Sequence, residues 1–202
     1  MPKIKLTKSE LKGQRDAMKQ FLRFLPTLQL KKQQLQMESQ KCLERVKANN
    51  QREEQLKNQA SSWLPLLGVQ EEVQRLASYI TVEGIETGRL NIAGVDIPVY
   101  KRTISKVATY DLFLESPWVD DAIKLLIELL ELKAERNVLE EQRRRLEREL
   151  RVTTQRVNLF EKVKIPECKE NIRVIQIYLG DQQTASVGRS KIAKRKMSEV
   201  AA

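Results

Sequence analysis

Residues 116–160 read SPWVDDAIKLLIELLELKAERNVLEEQRRRLERELRVTTQRVNLF, and the spacing of their apolar residues decides the fold class. Apolar side chains return every three or four positions, at Trp118, Ala122, Leu125, Leu129, Leu132, Leu139, Leu146, Leu150, Val157 and Phe160. Arg136, Arg143 and Thr153 fill the other places of the series. This is the period of a coiled coil, a narrow stripe that needs a partner helix. Ser116 suits an N-cap, Pro117 the first helical position, and Asp120 and Asp121 the positive end of the helix dipole. Gly180 suits the C-terminal stop, so a helix is expected over 117–180. Past Phe160 the stripe re-forms at Ile165, Cys168, Ile172, Ile175 and Leu179. The step from Val157 to Ile165 is eight residues where seven keep the phase, the mark of a stutter. Pro166 lies at the slip and predicts a local unwinding or bend. On the polar side, Glu140–Arg144, Glu141–Arg145 and Glu147–Arg151 are spaced for favourable ion pairs.

The partner stripe lies in residues 1–60. Thr7 and Glu10 have the spacing of a capping box. One seam series then runs Leu11, Met18, Leu25, Lys32, Ser39, Val46, Glu53 and Ala60. The other runs Gln14, Phe21, Leu28, Leu35, Cys42, Asn49 and Leu56. Pro26 interrupts this helix with a residue that has no N–H, so either a kink or a break into two helices is expected there.

Residues 61–116 differ in kind. Ser61 to Gly68, with Trp63 and Pro65, reads as a turn. Val69, Val73, Leu76 and Ile80 line one face of a short helix. Thr81 to Lys106 reads as β-structure, with a hairpin turn near Ala93-Gly94, and Pro98 places its strand at an edge. Trp63 and Trp118 flank the insert as anchors where the helices part. Residues 181–202 form a basic tail, with Arg189, Lys191, Lys194, Arg195 and Lys196; such a run reads as a solvated, frayed end or as a grip on an acidic surface. The architecture expected is mainly α: a long antiparallel two-helix coiled coil with a small central insert that holds a short helix and a β-hairpin. Such helices span roughly 80–90 Å at ~1.5 Å per residue. With Ala60 opposite Trp118, Cys42 faces the region of Arg136 and Cys168 that of Leu11, too far apart for a disulfide.

Composition narrows the function. The chain of 202 residues has no histidine, the commonest general base and transition-metal ligand, which lowers the expectation of an enzyme. Cys42 and Cys168 have no metal-ligand spacing, and no nucleophile–base pair or phosphate loop can be assembled. Catalytic residues, cofactors and metals are expected to be absent. No apolar run is long enough to span a membrane, and the opening Met1–Leu6 lacks a signal-peptide core, so a cytoplasmic protein is expected. The net charge of +10 is uneven. Residues 1–32 carry nine Lys/Arg and two Asp/Glu, whereas residues 69–121 carry five and nine. One end of the expected hairpin is therefore basic and the other acidic, as suits a bridge between two different partners.

Four stretches carry a family resemblance. Leu6–Leu11 is similar to a Pro-Thr-x-x-x-Leu opening, and Leu28, Lys31 and Leu35 fall on a Leu-Leu-Lys-x-Lys-Arg-x-x-Leu run. Gly94–Pro98 matches a Gly-x-x-Val/Ile-Pro element. Arg156-Val157-Asn158-Leu159-Phe160-Glu161-Lys162-Val163-Lys164-Ile165-Pro166, the most specific, resembles Arg-Arg-Val-Asn-Ala-Leu-Glu-x-Val-x-Ile-Pro. Together they resemble the D-subunit family of V-type and archaeal-type ATP synthases. Pro26 and Gln155 depart from its pattern, which makes the divergent bacterial branch the nearest.

The resemblance implies a non-catalytic rotor shaft that transmits torque between ATP chemistry and proton or sodium transport by a membrane ring. Its termini would sit in the cavity of a head of alternating A and B subunits. Its other end would meet the small F subunit and the collar subunit, so that it lies peripherally at the inner face of the cell membrane. It would bind no nucleotide, and no nucleic acid. Arg156, Asn158, Lys162 and Lys164 are the candidate head contacts; the same run also reads as a helix that bends at a proline. Without the resemblance, two other classes stand: a cytoplasmic coiled-coil scaffold, or a basic nucleic-acid-binding coiled coil. The second expects Lys/Arg along one face rather than at one tip.

Overall fold

Thr7 caps the first helix, its Oγ1 accepting the Glu10 N–H at 3.2 Å. Glu10 does not complete the capping box; its carboxylate accepts Gln14 Nε2 at 2.9 Å instead. Helix α1 then runs Lys8–Ala60. The computed structural model describes residues 4–60, 70–111, 115–116 and 118–200. Trp63, Pro65, Val69 and Pro117 therefore lie outside the described residues, as does the side chain of Val73.

Pro26 does not break α1 into two helices. It sits on the exposed face, where solvent can hydrate the carbonyl that loses its amide partner. The Thr27 hydroxyl donates to the Phe24 carbonyl at 2.8 Å on the same turn. After α1 come α2 (Gln70–Tyr79), β1 (Ile80–Ile92) and β2 (Val95–Val107). Helix α3 (Val119–Asn158) follows, then a π-helical turn (Leu159–Lys164) and α4 (Ile165–Val200). The fold is mainly α, with long helices paired antiparallel in the manner of a coiled coil and an insert of one short helix and one antiparallel hairpin.

The expected helix stop at Gly180 does not occur: α4 continues through it to Val200, and the tail cluster is helical. Residues 181–200 hold no proline and mostly helix-compatible side chains, so one glycine, at about 1 kcal/mol, does not end the helix. The Thr184 hydroxyl donates back to the Gly180 carbonyl at 3.1 Å.

The chain divides into two compact units, residues 33–151 and residues 1–32 with 152–202. In the first, Leu35 and Cys42 of α1, Ile97 of β2 and Leu146 of α3 form a buried cluster, with Ile92, Ala93, Val95 and Leu150 against it. A second cluster joins Leu76 of α2 to Val119, Ala122 and Ile123 of α3, with Trp118, Tyr79 and Tyr110 around it. The two tyrosines stack with centroids 5.1 Å apart. Their hydroxyls donate to Glu115 at 2.7 Å and Asp120 at 2.6 Å.

The hairpin tip carries Ala93 and Gly94 at φ 50° and 79°. Two positive φ angles make the turn whose twist matches that of paired strands. The Gly94 N–H donates to Asn91 Oδ1 at 3.0 Å. Ala93 is strained there, and a β-branched side chain would be more so. Ala93→Val is expected to lower the stability of this unit by about 1–2 kcal/mol in a denaturant melt. No loss would mean that the turn relaxes at no cost.

The α1–α3 register differs from the one expected. The Cys42 thiol donates to the Leu139 carbonyl at 3.2 Å, and Arg136 reaches Glu53 at 2.8 Å rather than facing Cys42. The connection of 58 residues between α1 and α3 does not dictate their alignment; side-chain pairing does. Among the α3 surface pairs, Glu141–Arg145 forms at 2.7 Å. Glu147 instead lies 3.2 Å from Arg143, and Glu140 lies 3.9 Å from Arg136.

Candidate partner-contact segment at a π-helical turn

Pro166 shapes the segment before it. In an α-helix its ring would press on the Lys162 carbonyl and offer it no N–H. The chain widens instead: Ile165 N–H donates to Phe160 O, five residues back. A π turn holds nearly one residue more than an α turn, so it absorbs the extra residue of the stutter. Val157, Ile165, Cys168 and Ile175 are consequently all buried in their unit, and Phe160 packs on Phe21 with ring centroids 5.0 Å apart. Asn171 Nδ2 donates to Gln14 Oε1 at 3.4 Å, which sets α4 against α1 within the same unit.

Of the four candidate contact residues, Arg156, Asn158 and Lys162 are exposed. Lys164 is half-buried and tied to Glu167 at 2.9 Å. The wider turn also exposes Leu159 and Val163, at 45% and 49%. These two apolar residues beside Arg156 and Lys162 make a mixed apolar and basic surface. Sequence reasoning did not single them out. The available signal was that they are apolar residues lying off the seam series.

The seam residues fall as follows. Leu35, Leu139, Leu146 and Val157 are buried. Leu11, Met18, Phe21, Leu25, Leu28, Leu125, Leu129, Leu132, Leu150 and Phe160 are half-buried. Helix α3 also buries Ile123, Ala134, Val138 and Gln142, none of them on the seam. Gln142 Nε2 donates to the Pro98 carbonyl, and Arg145 Nη1 to the Asp96 carbonyl at 3.1 Å. At Gln142 and Arg145, α3 thus holds the hairpin, and at Ile123 it packs on α2, neither of which a two-helix reading of α3 includes.

The described residues contain no group of three or more acidic or sulfur side chains arranged to hold a metal. Both cysteines are free and buried, and burial pushes their thiols up, away from reactive thiolate. A groove of about 350 Å³ beside α1 and α3 is lined by Arg52, Leu56, Tyr100, Glu128, Leu132 and Glu135 among others; it holds no nucleophile paired with a base.

A family model described as the D subunit of ATP synthase matches residues 10–195. The chain belongs to the ATP synthase D-subunit family. Similar relatives include the V-type ATP synthase D subunit of Borreliella burgdorferi, 47% identical over 96% of this chain and 95% of its own length. That of Chlamydia felis is 33% identical over 97% of this chain and 94% of its own length. That of Chlamydia caviae is 32% identical over the same shares. The family match covers nearly all of α1, then α2, the hairpin, α3, the π turn and most of α4. Among the described residues no helix is long and apolar enough to cross a membrane.

Proposed function

We propose that this D-family protein is the non-catalytic central stalk of a V-type ATP synthase or ATPase, transmitting torque between nucleotide chemistry in an A/B head and ion movement by a membrane ring. The observation that carries the reading is the near full-length similarity to proteins named as the D subunit of V-type ATP synthases. The local structure supports it. Two antiparallel helices resist twisting together better than one alone. The unit of residues 1–32 and 152–202 exposes Leu22, Phe24, Leu159 and Val163 beside basic side chains, a surface suited to a larger assembly. In this reading Arg156, Asn158 and Lys162 contact the head, and the small F subunit and the collar subunit meet the chain elsewhere. The complex then sits at the inner face of the membrane.

A tagged copy recovered from native membranes should bring down A and B subunits together with ATP hydrolysis. Recovery of nucleic acid, or of the chain alone, would favour the nucleic-acid-binding or scaffold readings. The contact role has its own test. Arg156→Glu with Lys162→Glu should leave the thermal midpoint of the isolated chain nearly unchanged, since both side chains are exposed. ATP hydrolysis by the reassembled complex should fall several-fold. Undiminished assembly and hydrolysis would remove these residues from the contact.

A further inference from the structure

The seam between α1 and α3 is mostly leucine and other apolar residues that return every heptad. Apolar layers alone tolerate a slide of seven residues, because one such layer fits against another almost as well as against its own partner. One layer buries an ion pair. Asn49 and Glu53 of α1 are 3% and 4% exposed. Arg136 Nη1 of α3 donates to Glu53 Oε2 at 2.8 Å, and Lys57 Nζ lies 2.7 Å from Glu53 Oε1. Asn49 Nδ2 donates to Glu135 Oε2 at 2.9 Å. Asn49 Oδ1 and Arg136 Nε are buried with no hydrogen-bond partner among the described residues.

Two unmet polar atoms make this layer a poor stabiliser, since buried groups without partners cost more than they return. Its effect on alignment is larger. A slide of seven residues carries Arg136 from Glu53 to Val46 or to Ala60, neither a carboxylate. The same slides carry Glu53 to Leu129 or to Arg143, so no slide restores both partners. The hairpin does not do this work through polar bonds. Gln142 and Arg145 tie its backbone to α3, whereas it meets α1 through the apolar cluster of Ile97 with Leu35 and Cys42.

We propose that Asn49, Glu53, Glu135 and Arg136 form a register lock, a polar layer that admits one antiparallel alignment of α1 on α3 where the apolar layers alone admit several. The Glu53 carboxyl is held below its ordinary value by its hydrogen bond from Lys57 and by the Arg136 charge, so it stays ionised in neutral solution. The proposal does not depend on the rotor reading.

Cys42, facing Leu139, supplies the reporter. In the full-length chain with Cys168→Ser, a second cysteine is placed by Leu139→Cys for the native register, or by Leu132→Cys for a slide of seven residues. Disulfide formation is followed by mass spectrometry under mild oxidation. With the native layer, position 139 should react at least tenfold faster than position 132. With Asn49→Leu, Glu53→Leu and Arg136→Leu together, that preference should fall to within a few-fold. Retention of the native preference would overturn the lock. So would loss of helical circular dichroism, because the layer would then be needed for folding rather than alignment. Arg136→Lys keeps a cation opposite Glu53 and should keep the preference for position 139. A slide in that variant would also overturn the proposal.

Discussion

Leu35→Ala combined with Leu146→Ala is expected to destabilise the unit of residues 33–151 by about 4–8 kcal/mol, since each fully buried Leu→Ala costs about 2–5 kcal/mol. The two side chains are 0% and 1% exposed and share one cluster with Cys42 and Ile97. Their cavities merge, so the effects will not add simply. A domain of ordinary stability holds only about 5–15 kcal/mol, so the double variant should be largely unfolded near its working temperature. Urea melts followed by helical circular dichroism give the number. Met37→Ala, at a residue 58% exposed on the same helix and in the same unit, should change stability by less than about 0.5 kcal/mol. A double-variant loss below about 2 kcal/mol would mean that the cluster collapses around the missing side chains. Leu125, Leu129 and Leu132, equally prominent in the heptad, are only half-buried and should cost less each.

Ile175→Ala is expected to cost about 2–5 kcal/mol in the unit of residues 1–32 and 152–202. Ile177→Ala should cost less than about 0.5 kcal/mol. Ile175 is fully buried and Ile177 is 54% exposed, although both are isoleucines two positions apart on α4. The contrast reports the helix phase downstream of the π turn. Without the turn, a strict α-helix would rotate everything after Phe160 by most of one residue, and the buried stripe would turn away from α1. Guanidinium melts of the two single variants decide it. Equal losses would mean that α4 adjusts its rotation when cut back on either side, and that the i→i−5 bond at Ile165 is not what holds the phase.

Much of this was legible in the residues. The seven-residue period is short-range information, and so is the hairpin turn at Ala93-Gly94. The step of eight residues before Ile165, next to Pro166, announced a local unwinding, and the π turn is its form. Gly180 misled because a helix stop depends on the whole run after it, and that run favours helix. The candidate contact run could be found from its motif. The exposure of Leu159 and Val163, and the tie of Lys164 to Glu167, follow only from the geometry of the wider turn.

By itself the sequence determined that the chain is mainly helical and that its helices must pair, because periodicity acts over a few turns and needs no distant partner. Tertiary structure alone decided the alignment of that pairing. Cys42 meets Leu139, and Glu53 meets Arg136, because side chains some 80 to 100 residues apart satisfy one another's charges and hydrogen bonds. It also decided that α3 holds the insert outside its seam, since Gln142 and Arg145 find their acceptors on a hairpin about 45 residues earlier in the chain. A heptad repeat is nearly degenerate under translation, so local pattern cannot select one register, and only contacts between residues far apart in sequence remove the degeneracy.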